Sequence, residues 1–299
     1  MAVETEFAEL HLPAARSSRT TGVRSRRFGP SLYLIAIYGV LIVAGIIAVI
    51  PFLYVVSTSL KDTASLFSYP PEWIPSEPTV TNFQTLLQDY PYLRWTLNSL
   101  IVASGVTVIK VLIDSMAGYA FAKMRFPGRD ALFLVVLMTL MVPFAATLIP
   151  LFLIVRDLNL TNTYLGLILP ALASPIGIFM MRQFISGLPS EVIEAAKIDG
   201  ASELRIFLQI VVPLSKPAMA ALGIFTGVTA WNDFLWPLVM LPKATMRTLP
   251  VGLATIQGQF VADYGMIMAG SVMTILPMVV LYLLFQRQFV AGLRTGYGR

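Results

Sequence analysis

The sequence predicts an all-α membrane protein that crosses the bilayer six times. The first observation is composition: of 299 residues, 57% are apolar and only 12% are charged, whereas a soluble globular domain carries about 25% charged residues. The second is that six segments approach or exceed the roughly 20 apolar residues that a helix needs to cross a bilayer. The third is that basic residues cluster at alternate ends of these segments, as in polytopic proteins.

The six predicted spans are, in chain order, residues 32–59, 97–122, 131–155, 163–184, 213–241 and 268–290. The first follows an arginine-rich stretch, as the apolar part of a signal peptide does. Its apolar run from Leu32 to Val56 is nevertheless far longer than the roughly 7–15 residues of a cleavable core. We therefore expect this segment to remain as a membrane anchor.

The distribution of Lys and Arg predicts the orientation of the chain. With the N-terminus inside, 15 of the 21 basic residues fall in or beside cytoplasmic segments, 5 fall in outer segments, and Lys110 lies within the second span. Short cytoplasmic loops carry the excess of basic residues in membrane proteins. Both termini are therefore predicted to be cytoplasmic.

Two regions are predicted along the chain. Residues 1–28 are polar and end in an arginine cluster, which is typical of a disordered cytoplasmic tail close to lipid. Residues 29–299 form the six-span membrane domain, which includes a cytoplasmic loop at residues 183–212.

Composition excludes several kinds of site. The absence of cysteine excludes disulfides, thiolate ligands and cysteine nucleophiles. The one histidine, His11, lies in the polar tail, so the membrane domain has no histidine for catalysis or metal binding. The pattern G-x-x-x-x-G-K-[ST] is absent, so the chain lacks the phosphate loop of an ATPase. We expect no catalytic site, no metal and no cofactor.

The loop at residues 183–212 is longer than the 2–8 residues that commonly connect two helices of a bundle, and it has helix signals of its own. Pro189 and Ser190 predict a helix start, Glu191 lies in the first turn, where the helix dipole favours carboxylates, and Gly200 predicts the end.

A second short helix is predicted over residues 202–211, before Pro213 opens the fifth span. The first helix combines small side chains with carboxylates, which suits contact with a groove on a partner. The alternative is an amphipathic helix that lies at the lipid surface.

One motif in this loop carries a family resemblance. Glu194, Ala195 and Ala196, followed by Asp199, Gly200 and Ala201, resemble the EAA loop in the permease subunits of bacterial ABC importers. Further similarity lies at residues 98–100, 231–234 and 249–253. Together these segments resemble the shorter six-span permease of sugar importers of the maltose, lactose and arabinose-oligomer type.

The resemblance implies a type I ABC importer permease fold without catalytic function. The implied partners are a second homologous permease, a cytoplasmic ATPase dimer, an extracytoplasmic solute-binding protein and membrane lipid, and no nucleic acid is involved. The cargo would be a sugar or oligosaccharide, moved across the inner membrane by alternating access. The EAA loop would dock on the ATPase through Glu191, Glu194, Ala195, Ala196, Asp199, Gly200 and Ala201.

Two charged residues fall inside the second predicted span. Lys110 and Asp114 are four residues apart and thus share one helix face, where they form a predicted intramembrane charge pair. Ionisable groups at membrane depth are costly and by default mark function. Whether this pair lines the transport path or only neutralises itself in helix packing stays open.

A second polar group lies in the fifth predicted span. Trp231, Asn232, Asp233 and Phe234 combine flat apolar faces with amide and carboxylate groups, the chemistry that binds sugars, and they are predicted to line the translocation path. Asn98 is a weaker candidate for the same role. The alternative for the tryptophan is an anchor at the membrane interface.

Two other functions are alternatives to the permease interpretation. An ion- or proton-coupled secondary transporter often shows inverted repeats and interrupted helices, which the sequence does not reveal, and it has no use for a structured cytoplasmic loop. An integral-membrane enzyme is disfavoured because the spans offer neither cysteine, nor histidine, nor paired carboxylates.

Overall fold

The computed structural model describes residues 32–62, 65–66, 68–70, 72–256 and 263–295. It divides into two compact units, Met1–Ile50 and Pro51–Arg299. The first unit is described from residue 32 onward and is the amino-terminal part of one helix, whose side chains are mostly exposed. The predicted tail, residues 1–28, and its histidine lie outside the described residues.

Every regular element in the described residues is helical. The α-helices are α1 Leu32–Ser59, α2 Thr81–Asp89, α3 Tyr92–Lys123, α4 Arg129–Met138, α5 Phe144–Asp157, α6 Tyr164–Ile168, α7 Pro175–Ser186, α8 Ser190–Ile198, α9 Glu203–Ile206, α10 Val212–Trp231, α11 Leu235–Met240, α12 Leu249–Ile256 and α13 Tyr264–Thr295. Short 3₁₀ segments cover Thr139–Met141, Leu169–Ala171 and Ala244–Met246, and a π-helical segment covers Phe207–Val211.

Four described helices are long and apolar enough to cross a bilayer, and the number reaches six when each of two bent helix pairs is counted as one span. The four are Tyr33–Ser59, Tyr92–Lys123, Glu203–Trp231 and Tyr264–Leu281. They correspond to the predicted first, second, fifth and sixth spans. The all-helical fold is therefore confirmed, and the third and fourth spans are the bent pairs.

The predicted third span, residues 131–155, is not one straight helix. Its two halves, Arg129–Met141 and Phe144–Asp157, differ in direction by 101°. Pro143 accounts for the break, because proline lacks an N–H and disfavours the helical conformation in the residue before it. Val142 is accordingly extended, with φ −83° and ψ 115°, and its N–H donates to the Thr139 carbonyl at 3.2 Å.

The predicted fourth span, residues 163–184, is bent by 48° before Pro175. Ser174 caps the second half, since its hydroxyl accepts a hydrogen bond from the Gly177 N–H at 3.2 Å. The N–H of Ser174 itself donates to the Asp114 carboxylate at 2.9 Å. Asp114 is fully buried. It thus supplies the acceptor that an interrupted helix needs where water is absent.

The predicted fifth span, residues 213–241, begins and ends earlier than expected. One continuous helix covers Glu203–Trp231, so the short helix predicted at residues 202–211 is its first part. Pro213 lies inside this helix directly after the π segment Phe207–Val211, whose wider hydrogen-bond pattern accommodates a residue that donates none. The helix ends at Trp231 because Asn232 and Asp233 favour caps over helix interiors.

Helix α3 is central to the second unit, where it packs against α7 and α10 and also contacts α6 and α12. Buried clusters surround both of its ends. One contains Trp95, Trp231 and Leu249, and the other contains Tyr119 and Met181 together with residues of α8 and the π segment. Motion of either end of α3 is therefore coupled to the segments packed there.

The contact between α3 and α7 depends on a glycine. A Cβ built on Gly177 would lie 1.9 Å from the Asp114 carboxylate oxygen Oδ2, far inside van der Waals contact. Only glycine lets α7 approach α3 closely enough for the Ser174 N–H to reach this carboxylate. By contrast, a Cβ on Gly223 would meet only ordinary contacts of 3.7 and 3.8 Å to α3 side chains.

We expect Gly177→Ala to destabilise the protein, because the added methyl group displaces Asp114 and breaks its bond to Ser174. Overpacking of this kind costs about 1–3 kcal/mol, so the melting temperature of the detergent-purified protein should fall by several degrees. Gly223→Ala is the matched control and should melt at or above the parent temperature, since alanine favours helix. Equal melting of Gly177→Ala and the parent would contradict this account.

Candidate coupling segment and translocation cavity

The loop predicted to dock on a partner contains a short helix with a sharp end. Helix α8 covers Ser190–Ile198, with Glu191 in its first turn. Gly200 then adopts φ +80°, a left-handed conformation that glycine accepts without steric cost. The turn is closed by the Ala201 N–H, which donates to the Ala196 carbonyl at 3.0 Å. We call Ser190–Ala201 the coupling segment.

The predicted docking residues divide into exposed and partly buried positions. Glu191, Glu194, Ala195, Asp199 and Gly200 are exposed. Ala196 and Ala201 pack instead against the buried cluster at the end of α3. The segment therefore presents one face to its surroundings and uses the other to attach to the protein.

Two further positions of the segment, Ile193 and Ile198, are not among the predicted docking residues. Ile193 is 4% exposed and anchors the helix in the cluster, whereas Ile198 is 87% exposed. A large aliphatic side chain this exposed, beside the small side chain of Ala195, gives the exposed face an apolar contact point. The position of Ile198 directly before Asp199 and Gly200, at the predicted end of the helix, was visible in the sequence.

One lysine fastens the start of the coupling segment to α3. The Lys123 ammonium group donates to the Leu188 carbonyl at 2.7 Å, to the Ser190 hydroxyl at 3.0 Å and to the Ser186 carbonyl at 3.3 Å. Its three donors thus hold the backbone between α7 and α8. The last turn of α3 and the first turn of α8 are joined by these bonds.

A chain of three polar side chains fastens the other end of the segment. The Tyr119 hydroxyl of α3 donates to Glu203 Oε2 at 2.6 Å, and Lys197 Nζ lies 2.6 Å from Glu203 Oε1. Lys197 belongs to α8 and Glu203 to α9, so the chain joins three helices. Nothing in the sequence signals this contact, because Tyr119 and Glu203 are 84 residues apart.

A cavity of about 500 Å³ lies between α3, α10 and α11. Three of the residues predicted to line the path, Asn232, Asp233 and Phe234, line this cavity, and so does Lys110 of α3. Asp233 precedes α11, with the backbone N–H groups of Phe234 and Trp236 at its carboxylate. The structure therefore brings polar groups from two predicted spans to one space.

Two other residues predicted for the path lie elsewhere. Trp231 is 2% exposed and belongs to the buried cluster with Trp95. Asn98 is 1% exposed, and its amide group donates to the carbonyls of Thr245 and Arg247 at 3.0 and 2.8 Å. The Tyr164 hydroxyl completes the arrangement by donating to Asn98 Oδ1 at 2.8 Å. Asn98 thus holds the loop after α11 against α3.

The predicted charge pair has a looser geometry than its spacing suggests. No ion pair within 4.0 Å joins Lys110 to Asp114, although both lie in the described part of the chain. One oxygen of Asp114 accepts from the Ser174 N–H, and the other has no hydrogen-bond partner. The two charges attract each other at longer range, but the carboxylate binds the Ser174 N–H, whereas the lysine lines the cavity.

Across the ranges that the structure describes, no three His, Cys, Asp or Glu residues are grouped as metal ligands. The geometry offers an attachment surface and a polar cavity.

Comparison with known proteins places this architecture in a family. A family model for inner membrane components of binding-protein-dependent transport systems matches residues 114–291. The chain is 42% identical over 274 residues to the arabinooligosaccharides transport system permease protein AraQ of Halalkalibacterium halodurans, covering 91% of this chain and 98% of that protein. It is 35% identical over 263 residues to the sn-glycerol-3-phosphate transport system permease protein UgpE of Salmonella typhi, covering 85% and 93%.

A solved structure agrees in fold. A chain of a bacterial ABC transporter involved in the import of the acidic polysaccharide alginate superposes with a TM-score of 0.77 at 23% identity, covering 87% of this chain and 97% of that one. The fold is thus that of an ABC importer permease, and family membership decides against the ion-coupled alternative. The chain belongs to the inner membrane components of binding-protein-dependent transport systems and is a non-catalytic, multi-pass permease subunit of an ABC importer.

Proposed function

We propose that this permease forms half of the transmembrane path for a sugar or oligosaccharide, with both termini in the cytoplasm. Its partners are a second homologous permease, a cytoplasmic ATPase dimer and an extracytoplasmic solute-binding protein. The observation that carries this proposal is the coupling segment, which Lys123 of α3 binds at its start, which Glu203 links to Tyr119 of α3 at its other end, and which leaves one face exposed. ATP binding and hydrolysis in the separate ATPase drive alternating access.

The name of one relative supports the choice of cargo. AraQ is named for arabinooligosaccharides, which carry many hydroxyl groups, whereas UgpE is named for sn-glycerol-3-phosphate, an anionic phosphate ester. The cavity at α3 and α10 supports the same choice, because amide, hydroxyl and charged groups line it beside an aromatic ring. Such walls combine hydrogen bonds with contact to the apolar face of a sugar ring.

Contact with the ATPase is assigned to the exposed face of the coupling segment. Glu191, Glu194, Ala195, Asp199 and Gly200 lie on it, and Ile198 adds an apolar anchor of the kind that fills a pocket on a partner. The small side chain at Ala195 lets another surface approach closely. Ala196 and Ala201 act from the other face, by seating the segment against the membrane domain.

Force reaches the path through α3. The coupling segment is held at one end of this helix, directly by Lys123 and through Glu203 by Tyr119. The cavity lies along the same helix at Val102, Val106 and Lys110. A helix of this length moves as a rigid element unless it is kinked. Displacement of the coupling segment therefore changes the shape of the cavity without requiring any contact between ATPase and solute.

Asn232, Asp233 and Phe234 are proposed to contact the solute directly. In the described conformation Trp231 and Asn98 are buried and do not line the cavity. They are proposed to hold the cavity wall in place.

The docking assignment is tested by placing a bulky side chain on the exposed face. Ala195→Trp should weaken ATPase binding at least about tenfold, the effect of roughly 1.4 kcal/mol, because the indole ring holds the two surfaces apart. The measurement is recovery of the ATPase with the purified permease pair, followed by solute-stimulated ATP hydrolysis. Asp89→Trp, at an exposed position of α2, is the control and should retain the ATPase. Normal recovery with Ala195→Trp would reject the assignment.

The transmission path is tested at the Tyr119 hydroxyl. Tyr119→Phe removes a hydrogen bond to a carboxylate, worth about 1.5–3 kcal/mol, while the ring keeps its packing at 5.9 Å from Phe207. The ATPase should still bind, and the number of solute molecules moved per ATP in proteoliposomes should fall severalfold. Tyr38→Phe, at an exposed tyrosine, should leave this ratio unchanged.

A double substitution adds a second criterion for this path. Because Tyr119 and Glu203 belong to one network, Tyr119→Phe combined with Glu203→Gln should be no worse than the more severe single variant. Strictly additive losses would show that the two residues act independently and would remove the bond from the coupling mechanism.

A further inference from the structure

The unusual group in the membrane domain is the ammonium of Lys110. This side chain lies within a span and lines the cavity between α3, α10 and α11. Among the described residues it makes no ion pair within 4.0 Å and no hydrogen bond. A cation at membrane depth requires a partner, so the missing partner must be sought in the space that the side chain faces.

The obvious partner, Asp114, is committed elsewhere. It is fully buried, one of its oxygens holds the Ser174 N–H, and its other oxygen lies against Gly177, where a Cβ would approach it to 1.9 Å. The carboxylate is thus oriented toward the bend before α7. Its absence from the cavity lining leaves Lys110 without a direct counterion there.

The opposite wall of the cavity carries complementary groups. Asp233 lies in this wall and carries a carboxylate, whereas the Thr226 hydroxyl is buried and has almost no accessible surface toward the cavity. Thr229 and Asn232 also line the cavity, and each already donates one hydrogen bond, to the carbonyls of Phe225 and Val228. The charged groups of the cavity lining are therefore one cation and one anion.

The balance of charge selects the kind of ligand. A neutral solute rich in hydroxyl groups satisfies both walls, because a hydroxyl oxygen accepts from an ammonium while a hydroxyl hydrogen donates to a carboxylate. An acidic solute would gain at Lys110 but would bring its own negative charge close to Asp233 and, at longer range, to Asp114. Like charges in a site of low dielectric repel strongly.

We propose that Lys110 and Asp233 form a solute-binding pair that recognises a neutral, hydroxyl-rich molecule bridging them across the cavity. Lys110 donates to hydroxyl oxygens, and Asp233 accepts from hydroxyl groups. The pair rests on the proposed function, since it places the solute in the path of the importer. It assigns Lys110 to the solute and Asp114 to the bend in the fourth span.

The test uses the absence of cysteine from this chain. Lys110→Cys and Asp233→Cys are labelled in the purified complex with a negatively charged methanethiosulfonate, with and without arabinotriose, maltotriose or glycerol 3-phosphate at one high concentration. The binding protein is omitted so that its own selectivity does not enter. The neutral sugars should slow labelling of both variants severalfold. In a third variant, Thr229→Cys, which lines the cavity and leaves both charges in place, glycerol 3-phosphate should slow labelling much less than the sugars do.

Ile109→Cys is the matched control. It neighbours Lys110 on α3 but does not line the cavity, so its labelling should be independent of every solute. Absence of protection by both neutral sugars, or equal protection at Ile109→Cys, overturns the pair. Stronger protection of Thr229→Cys by glycerol 3-phosphate than by the sugars overturns the neutral class.

Transport kinetics supply a second readout. Lys110→Met should raise the KM for uptake in proteoliposomes by about tenfold, as expected for the loss of one charge-assisted hydrogen bond, while recovery of the ATPase stays normal. Lys216→Met, which removes an exposed lysine outside the cavity, should leave the KM unchanged. An unchanged KM with Lys110→Met rejects the pair while the importer function stands; loss of ATPase association from the parent complex rejects that function instead.

Discussion

The constraint on which this structure depends is that backbone polar groups inside a membrane need protein partners, because no water is there to bind them. Three spans are interrupted or irregular, and α3 supplies side chains to several of the places where regular hydrogen bonding stops. Near its start, Asn98 binds two carbonyls of the loop after α11. Farther along, Asp114 binds the N–H at the bend of the fourth span. At its end, Lys123 binds carbonyls before α8.

These contacts make α3 the link between the parts that the proposed function requires. In the proposed mechanism, movement of the coupling segment is converted into a change at the cavity, and both are attached to this one helix. Helix α10 is attached as well, through packing along α3 and through Glu203 at the start of the same continuous helix. The cavity lies between these two helices, so their relative displacement alters its walls. Coupling then follows from rigid elements and a few bonds.

The sequence predicted which segments of the chain form the spans, but it did not predict which of those spans are bent. Long apolar runs identified the spans, since hydropathy reports the bilayer directly. Pro143 and Pro175 were visible signals of the two bends, but proline also occurs in unbroken spans, as Pro213 and Pro217 show in α10. Whether a proline interrupts a helix depends on what satisfies the freed backbone groups. At the bend before Pro175 that partner, Asp114, lies in another helix and leaves no local pattern.

The candidate site residues likewise divide into those with local sequence signals and those that only the tertiary fold brings together. The coupling segment was predictable because its signals, Pro189, Glu191 and Gly200, are local and its motif is contiguous. The bond between Tyr119 and Glu203 was not predictable, because it joins residues that only the tertiary fold brings together. The spacing of Lys110 and Asp114 indicated a pair, since residues four apart share a helix face.

Residues four apart in a helix are close enough to contact each other, but a competing hydrogen bond can prevent that contact. Asp114 can serve either a neighbouring cation or a backbone N–H, and the bend before α7 leaves that N–H without another acceptor. The carboxylate binds it at 2.9 Å, and close packing against Gly177 keeps it there. The ammonium of Lys110 is therefore left without Asp114 as a direct counterion. Because it lines a cavity that Asp233 also lines, a structural demand in one span leaves the proposed binding group free in the cavity between two others.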